Sequence, residues 1–112
     1  MTRLVVFILN KTEVLNDLLK DLSDNGIKGG TIIESKGMGH ELANMEEFTF
    51  FGSLRKILNP DRKENITLLL AIHAEQLETV TKIINRVVGD LSEPDTGILF
   101  SLPIDYIQGL KF

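Results

Sequence analysis

Leu4 to Leu9 form a short, unbroken apolar run rich in branched side chains and closed by Asn10. A run of that length with a polar stop predicts a buried strand. Leu15, Leu18, Leu19 and Leu22 follow at i, i+3, i+4 and i+7, placing four leucines on one face of a helix. Thr12 is placed to cap that helix through its hydroxyl, and Gly26 to end it in the left-handed conformation. Thr31-Ile32-Ile33 predicts a second strand, entered through Gly29-Gly30.

The same order recurs downstream. Ile66 to Ile72 predict a strand, Val80, Ile83, Ile84 and Val87 repeat the helical template, and Gly89 repeats the stop. Thr96-Gly97-Ile98-Leu99-Phe100 predicts the fourth strand. The helical templates are offset by 65 residues and the stopping glycines by 63. Two βαβ halves that pack together predict an α+β, ferredoxin-like βαββαβ fold, with a four-stranded antiparallel sheet and both helices on one face. The expectation is one such domain spanning residues 1–112. Its sheet would leave one face uncovered, yet Leu68-Leu69-Leu70 puts apolar side chains on both faces. Self-association is the expected cover.

Residues 36–65 separate the second and third strands, where a hairpin loop normally needs roughly two to five residues. Phe48, Phe50, Phe51, Leu54, Ile57 and Leu58 make this insertion too apolar for a disordered linker. Glu47-Phe48-Thr49-Phe50 alternates as a strand extension would, and Ser53 could cap a helical turn that Pro60 closes. The aromatic residues read either as anchors for a partner or as cover for an oligomer's own surface.

Composition narrows the function. The chain has 112 residues and a formal net charge of −4, without the clustered positive charge of a nucleic-acid footprint. It has no cysteine, which excludes disulfides, thiolate metal sites and cysteine nucleophiles. No apolar run approaches the roughly 18 residues of a membrane helix, and the apolar N-terminus meets Asn10-Lys11 with no small-residue cleavage site. A cytoplasmic protein, not embedded in a membrane, is expected, which makes the sequon Asn65-Ile66-Thr67 a chance match.

Candidate chemistry is sparse. Gly37-Met38-Gly39 follows a strand, as phosphate-cradling glycines do, but with no further glycine or Walker lysine a plain turn is the stronger reading. His40-Glu41 sets an imidazole beside a carboxylate, and two histidines without thiols make a poor metal set. His73 is expected to satisfy a helix terminus. Asp95-Thr96-Gly97 offers a hydroxyl and a close-approach glycine, and is also ordinary turn chemistry. Arg55, Lys56, Arg62 and Lys63 are interleaved with Asp61 and Glu64, the pattern of a solvated face. No nucleophile lies beside a base, so no enzymatic activity is expected.

The stretch from Gly26 to Gly39, GIKGGTIIESKGMG, resembles the G-I-x-G-x-T-x-x-E-x-K-G-x-G segment of the PII superfamily of signalling proteins at every fixed position. The resemblance implies a homotrimer with sheets facing inward, adenine-nucleotide sites in clefts between subunits, and a long loop that docks on transporters or enzymes. His40 to Asn65 would be that loop. Thr31, Gly37 and Gly39 match nucleotide-site positions, with Met38 in place of the usual phenylalanine. Gly97, preceded by Thr96, matches the last glycine of the family's phosphate loop, T-G-x-x-G-D-G-K-I-F, and Lys111 one of its two phosphate-binding arginines, with Gly109 at the other. The rest of that loop fails to match: Leu91 to Phe100 lacks both lysines and two further glycines, and Glu93 reverses one charge.

His40-Glu41 replaces the Arg-Gln pair whose glutamine helps hold magnesium and 2-oxoglutarate, and the insertion has no tyrosine to uridylylate. A PII-like regulator that binds AMP or ADP in preference to ATP is therefore the expectation, since each lost charge-assisted phosphate contact removes a few kcal/mol. Its site residues would be Thr31, Gly37, Met38, Gly39, Thr96, Gly97 and Lys111, with Phe48, Phe50 and Phe51 in the partner-binding loop. The alternatives are an effector-independent interaction module and a metal-binding ferredoxin-like trimer using His40 and Glu41.

Overall fold

The computed structural model describes residues 1–43 and 64–110. The elements run β1 (Thr2–Leu9), α1 (Leu15–Asp24), β2 (Thr31–Ser35), α2 (Met38–Ala43), β3 (Asn65–His73), α3 (Leu77–Val88) and β4 (Gly97–Ile104). The strands form one sheet in the order β2-β3-β1-β4, each neighbouring pair antiparallel. This is the α+β, ferredoxin-like arrangement that the duplicated pattern predicts.

Alternation along the two central strands builds the core. Val5, Phe7 and Leu9 of β1 and Leu68, Leu70 and Ile72 of β3 are buried on one face. The register sets Val5 opposite Leu70 and Phe7 opposite Leu68. Leu18 and Leu22 of α1 and Val80, Ile83, Ile84 and Val88 of α3 close over them. Each such side chain contributes roughly 1.5–3 kcal/mol over leaving it in water. The two helices also meet in an ion pair, with Arg86 Nη2 3.2 Å from Asp21 Oδ2. Those two residues are 65 positions apart, the offset between the helical templates.

Both glycine stops hold, with φ +86° at Gly26 and +100° at Gly89. The helix starts differ from expectation. α1 and α3 are each preceded by a 3-10 turn, Thr12–Val14 in the first half and Ala74–Gln76 in the second. Thr12 lies inside its turn and is not the cap of α1; Val14 occupies that position with no side-chain bond. The cause is tertiary, because the amides of Asn10 and Lys11 both donate to the Thr96 carbonyl, at 2.9 and 3.1 Å, and tighten the exit from β1. His73 serves a helix terminus, as expected, in a reciprocal capping pair with Gln76.

The strands outrun their apolar cores. β4 continues to Ile104 through Pro103, which an edge strand tolerates because one side of its backbone needs no ladder partner. On the face away from the helices, Ile33, Ile98, Phe100 and Leu102 are 42–57% exposed. This is the uncovered apolar face that the two-sided strands foretell. Of the insertion, residues 36–43, which include α2, and residues 64–65 are described. The strand at 47–50, the helical turn after Ser53, and Phe48, Phe50, Phe51 and Lys111 lie outside the described residues. Among the described residues no helix is long and apolar enough to cross a membrane.

Candidate functional site

The sheet ends in a polar row. Ser35 pairs with Asn65 at the last rung of β2 and β3, and Asn10 follows the rung that sets Leu9 opposite Ile66. Two rungs inward lie Ile33, Thr67, Ile8 and Ile98. Because side chains alternate along a strand, both sets stand on the face away from the helices.

The row is tied together. Ser35 Oγ donates to Asn65 Oδ1 and lies 2.8 Å from Thr67 Oγ1, while Asn65 Nδ2 donates to Asn10 Oδ1 at 3.1 Å. Asn65 is 6% exposed, so these bonds replace the water it has lost. Asn65 is therefore a buried strand start inside a side-chain network that Thr67 joins.

Above this row opens a cleft of about 400 Å³, lined by Ile8, Asn10, Ser35, Lys36, Gly37, Met38, Gly39, Asn65, Thr67 and Ile98. Its size falls in the usual range for small-molecule sites. Lys36 is the one charged side chain among these lining residues. Gly37-Met38-Gly39, read from sequence as a turn, forms the start of α2, with the Glu41 amide donating to the Gly37 carbonyl at 3.1 Å.

The other expected site residues divide. Thr96 and Gly97 sit at the same end of the sheet, next to Asn10 and Ile98. The Thr96 hydroxyl donates within its own loop, to the carbonyls of Glu93 at 2.8 Å and Leu91 at 3.2 Å. Gly97 is forced by packing, since a Cβ there would lie 2.8 Å from the Ile8 carbonyl oxygen and 2.8 Å from Phe7 Cε1. Thr31 is at the far end of β2, four residues or about 13 Å from Ser35. It lines a smaller apolar pocket of about 170 Å³ beside Leu19, Leu22 and Ile27.

The loop from Asp90 to Thr96 is acidic and closed on itself. Asp90 Oδ1 accepts from the Ser92 amide at 2.9 Å and the Ser92 hydroxyl at 2.7 Å. The hydroxyl bond first, then the amide bond, hold the Asp90 carboxyl below its ordinary pKa. The loop thus carries Asp90, Glu93 and Asp95, and it lacks both lysines of the phosphate loop it resembles.

Asn10, Ser35, Asn65, Thr67 and Lys36 are not legible as a site in the sequence. There they are strand ends scattered over 58 positions, and the one local signal is the polar stop after each apolar run. Among the described residues no group of three His, Cys, Asp or Glu could hold a metal ion.

Fold and cleft together define a ferredoxin-like α+β protein with a polar pocket at the root of a long insertion. The structure is similar to that of a functionally unknown protein from Pediococcus pentosaceus ATCC 25745, with a TM-score of 0.65, 16% identity and 97% of each chain covered. At that identity the likeness concerns the fold alone. No curated protein matches the chain in sequence. The family model for nitrogen regulatory protein P-II matches residues 2–111, and the chain belongs to that family. Its members are signalling regulators rather than enzymes, generally trimers that bind nucleotide effectors.

Proposed function

We propose that this chain is a single-domain, cytoplasmic, homotrimeric regulator without enzymatic activity, which binds an adenine nucleotide in clefts between subunits. One observation carries the reading: the cleft and the root of the insertion are the same place. Ser35 to Gly39 line it where the insertion leaves the sheet, and Asn65 lines it where the chain returns. A ligand seated there touches both stems of the 40–65 loop. Unequal affinity for two arrangements of those stems is what would let the ligand control docking of the loop, through Phe48, Phe50 and Phe51, on a transporter or enzyme.

Gly37, Met38 and Gly39 form one wall. Thr31, remote within the chain, joins the site from a neighbouring subunit, as does Lys111, while Thr96 and Gly97 shape the adjoining loop. Like faces bearing Ile33, Ile98, Phe100 and Leu102 supply the apolar contact between subunits. AMP or ADP is favoured over ATP because Lys36 is the single lining cation and the neighbouring loop carries three carboxylates.

Calorimetric titration with AMP, ADP and ATP, each with and without magnesium, tests this. Micromolar binding, about −8 kcal/mol, with AMP or ADP ahead of ATP is expected. The Gly37→Val variant should lose that binding and keep its oligomeric size. ATP binding tightest would refute the charge argument, and wild-type affinity in Gly37→Val the site. No heat with any nucleotide would leave the effector-independent interaction module as the better account.

A further inference from the structure

We infer that Ser35 is a positioning residue: its hydroxyl fixes the register of β2 on β3, and with it the placement of the cleft wall that follows β2. The consequence for binding rests on the nucleotide reading above; the register assignment itself does not. Burial of one face sets the register of strands such as β1 and β3, but β2 has no buried face. Thr31, Ile32, Ile33 and Glu34 are all exposed. Ile32, opposite Leu68 on the helix side, is 51% exposed, and Ile33, opposite Thr67 on the other side, is 42% exposed. A slip by one residue puts one isoleucine in the place of the other, so the apolar pattern of β2 does not distinguish the two registers. The same holds when an oligomer covers the Ile33 side, because either register offers it an isoleucine.

Two local features break the tie. Just before the strand, a Cβ at Gly30 would stand 2.6 Å from Leu70 Cδ2 and 3.3 Å from the Leu69 carbonyl oxygen. Leu70 is 4% exposed and has little room to move, so a slip that brings Thr31 to that point is blocked. The opposite slip brings Gly29 there, which has no Cβ, and sets Glu34 in the place of Ser35. At that place Ser35 Oγ hydrogen-bonds to the side-chain amide of Asn65 and lies 2.8 Å from Thr67 Oγ1. A hydroxyl both donates and accepts, so it serves these partners in either orientation of the Asn65 amide. Glu34 would instead set a longer, charged side chain beside Asn65, which is 6% exposed, and burying a carboxylate is costly. Ser35 thus excludes the slip that the glycines leave open. Lys36, Gly37, Met38 and Gly39 line the cleft directly after it, so that slip would carry each of them along the wall by about 3.3 Å.

NMR of the full chain reads the register directly, because cross-strand Overhauser contacts identify the residue that faces Thr67. In the wild type that residue should be Ile33 alone. Ser35→Ala should stay folded, since no β2 residue belongs to the buried core, and should show a second set of contacts from Ile32 to Thr67. Its affinity for AMP should fall at least about tenfold, and Ser35→Thr, which restores the hydroxyl, should recover both the single register and the affinity. Ser35→Ala with Ile33 alone facing Thr67 would overturn the assignment, whatever its affinity. Global unfolding of that variant would overturn it too, since Ser35 would then be a stabilising residue and not a positioning one. A shifted register with wild-type AMP affinity would overturn the link to the cleft. Absence of AMP binding in the wild type would overturn the nucleotide reading, and the Overhauser contacts alone would still decide the register of β2.

Discussion

Replacing Gly97 by alanine separates two accounts of this glycine, one in which it lets a ligand approach the backbone and one in which it makes room for the core. The structure favours packing and allows the size of the effect to be worked out. A Cβ at Gly97 would stand 2.8 Å from the Ile8 carbonyl oxygen and 2.8 and 3.0 Å from Cε1 and Cζ of Phe7. Neither neighbour can give way easily. The carbonyl belongs to the central strand β1, and Phe7 is fully buried among the side chains of both helices and β3.

Overpacking of this kind costs about 1–3 kcal/mol. The backbone adds nothing, since Gly97 is not in the left-handed region. At about 4 °C per kcal/mol for a chain of this size, melting should fall by roughly 4–12 °C. Protein concentration must be held fixed, because an oligomer's melting depends on it. Gly29→Ala is the control. No atom lies within 4 Å of a Cβ there, so its stability should stay within about 0.5 kcal/mol of wild type. Wild-type melting in Gly97→Ala would refute the packing argument, and loss of nucleotide binding at unchanged stability would assign Gly97 to the ligand.

Two further tests address the loop and the helices. The Asp90 carboxyl is held below its ordinary pKa by bonds present in the folded state, so its contribution is present above the ordinary carboxylate range and is lost as pH falls through the lowered value. In an NMR titration Ser92→Ala should move the Asp90 pKa back up, and an unchanged value would show that the hydroxyl bond at 2.7 Å does not govern it. The Asp21–Arg86 pair is 36% and 62% exposed, so a double-mutant cycle should give a coupling of at most about 1 kcal/mol that fades with added salt. A larger, salt-insensitive coupling would mean the helices are pinned by more than their buried faces.

Periodicity and punctuation were legible in the chain. Leu18 and Leu22, and Val80, Ile83 and Ile84, announce their helices because a helix brings i, i+3 and i+4 onto one side whatever it packs against. Gly26 and Gly89 announce the ends because a left-handed residue is cheapest as glycine. The 3-10 turns were not legible, since the first depends on two amides reaching the Thr96 carbonyl, more than eighty residues away. Of the site, Gly37 to Gly39 could be read from a local motif, while their helical conformation and the network beneath them could not.

The elements, their duplicated order and hence the antiparallel ferredoxin-like sheet follow from the residues in chain order, because local sterics and amphipathic burial are properties of neighbours. Three further facts come from the folded arrangement: Asn10, Ser35 and Asn65 share one row, Gly97 answers to Phe7, and Thr31 stands away from the cleft. All three depend on strand register, which brings together residues 25 to 90 positions apart in the chain. Register follows from the fit of one whole face against both helices, and no short stretch of residues contains it.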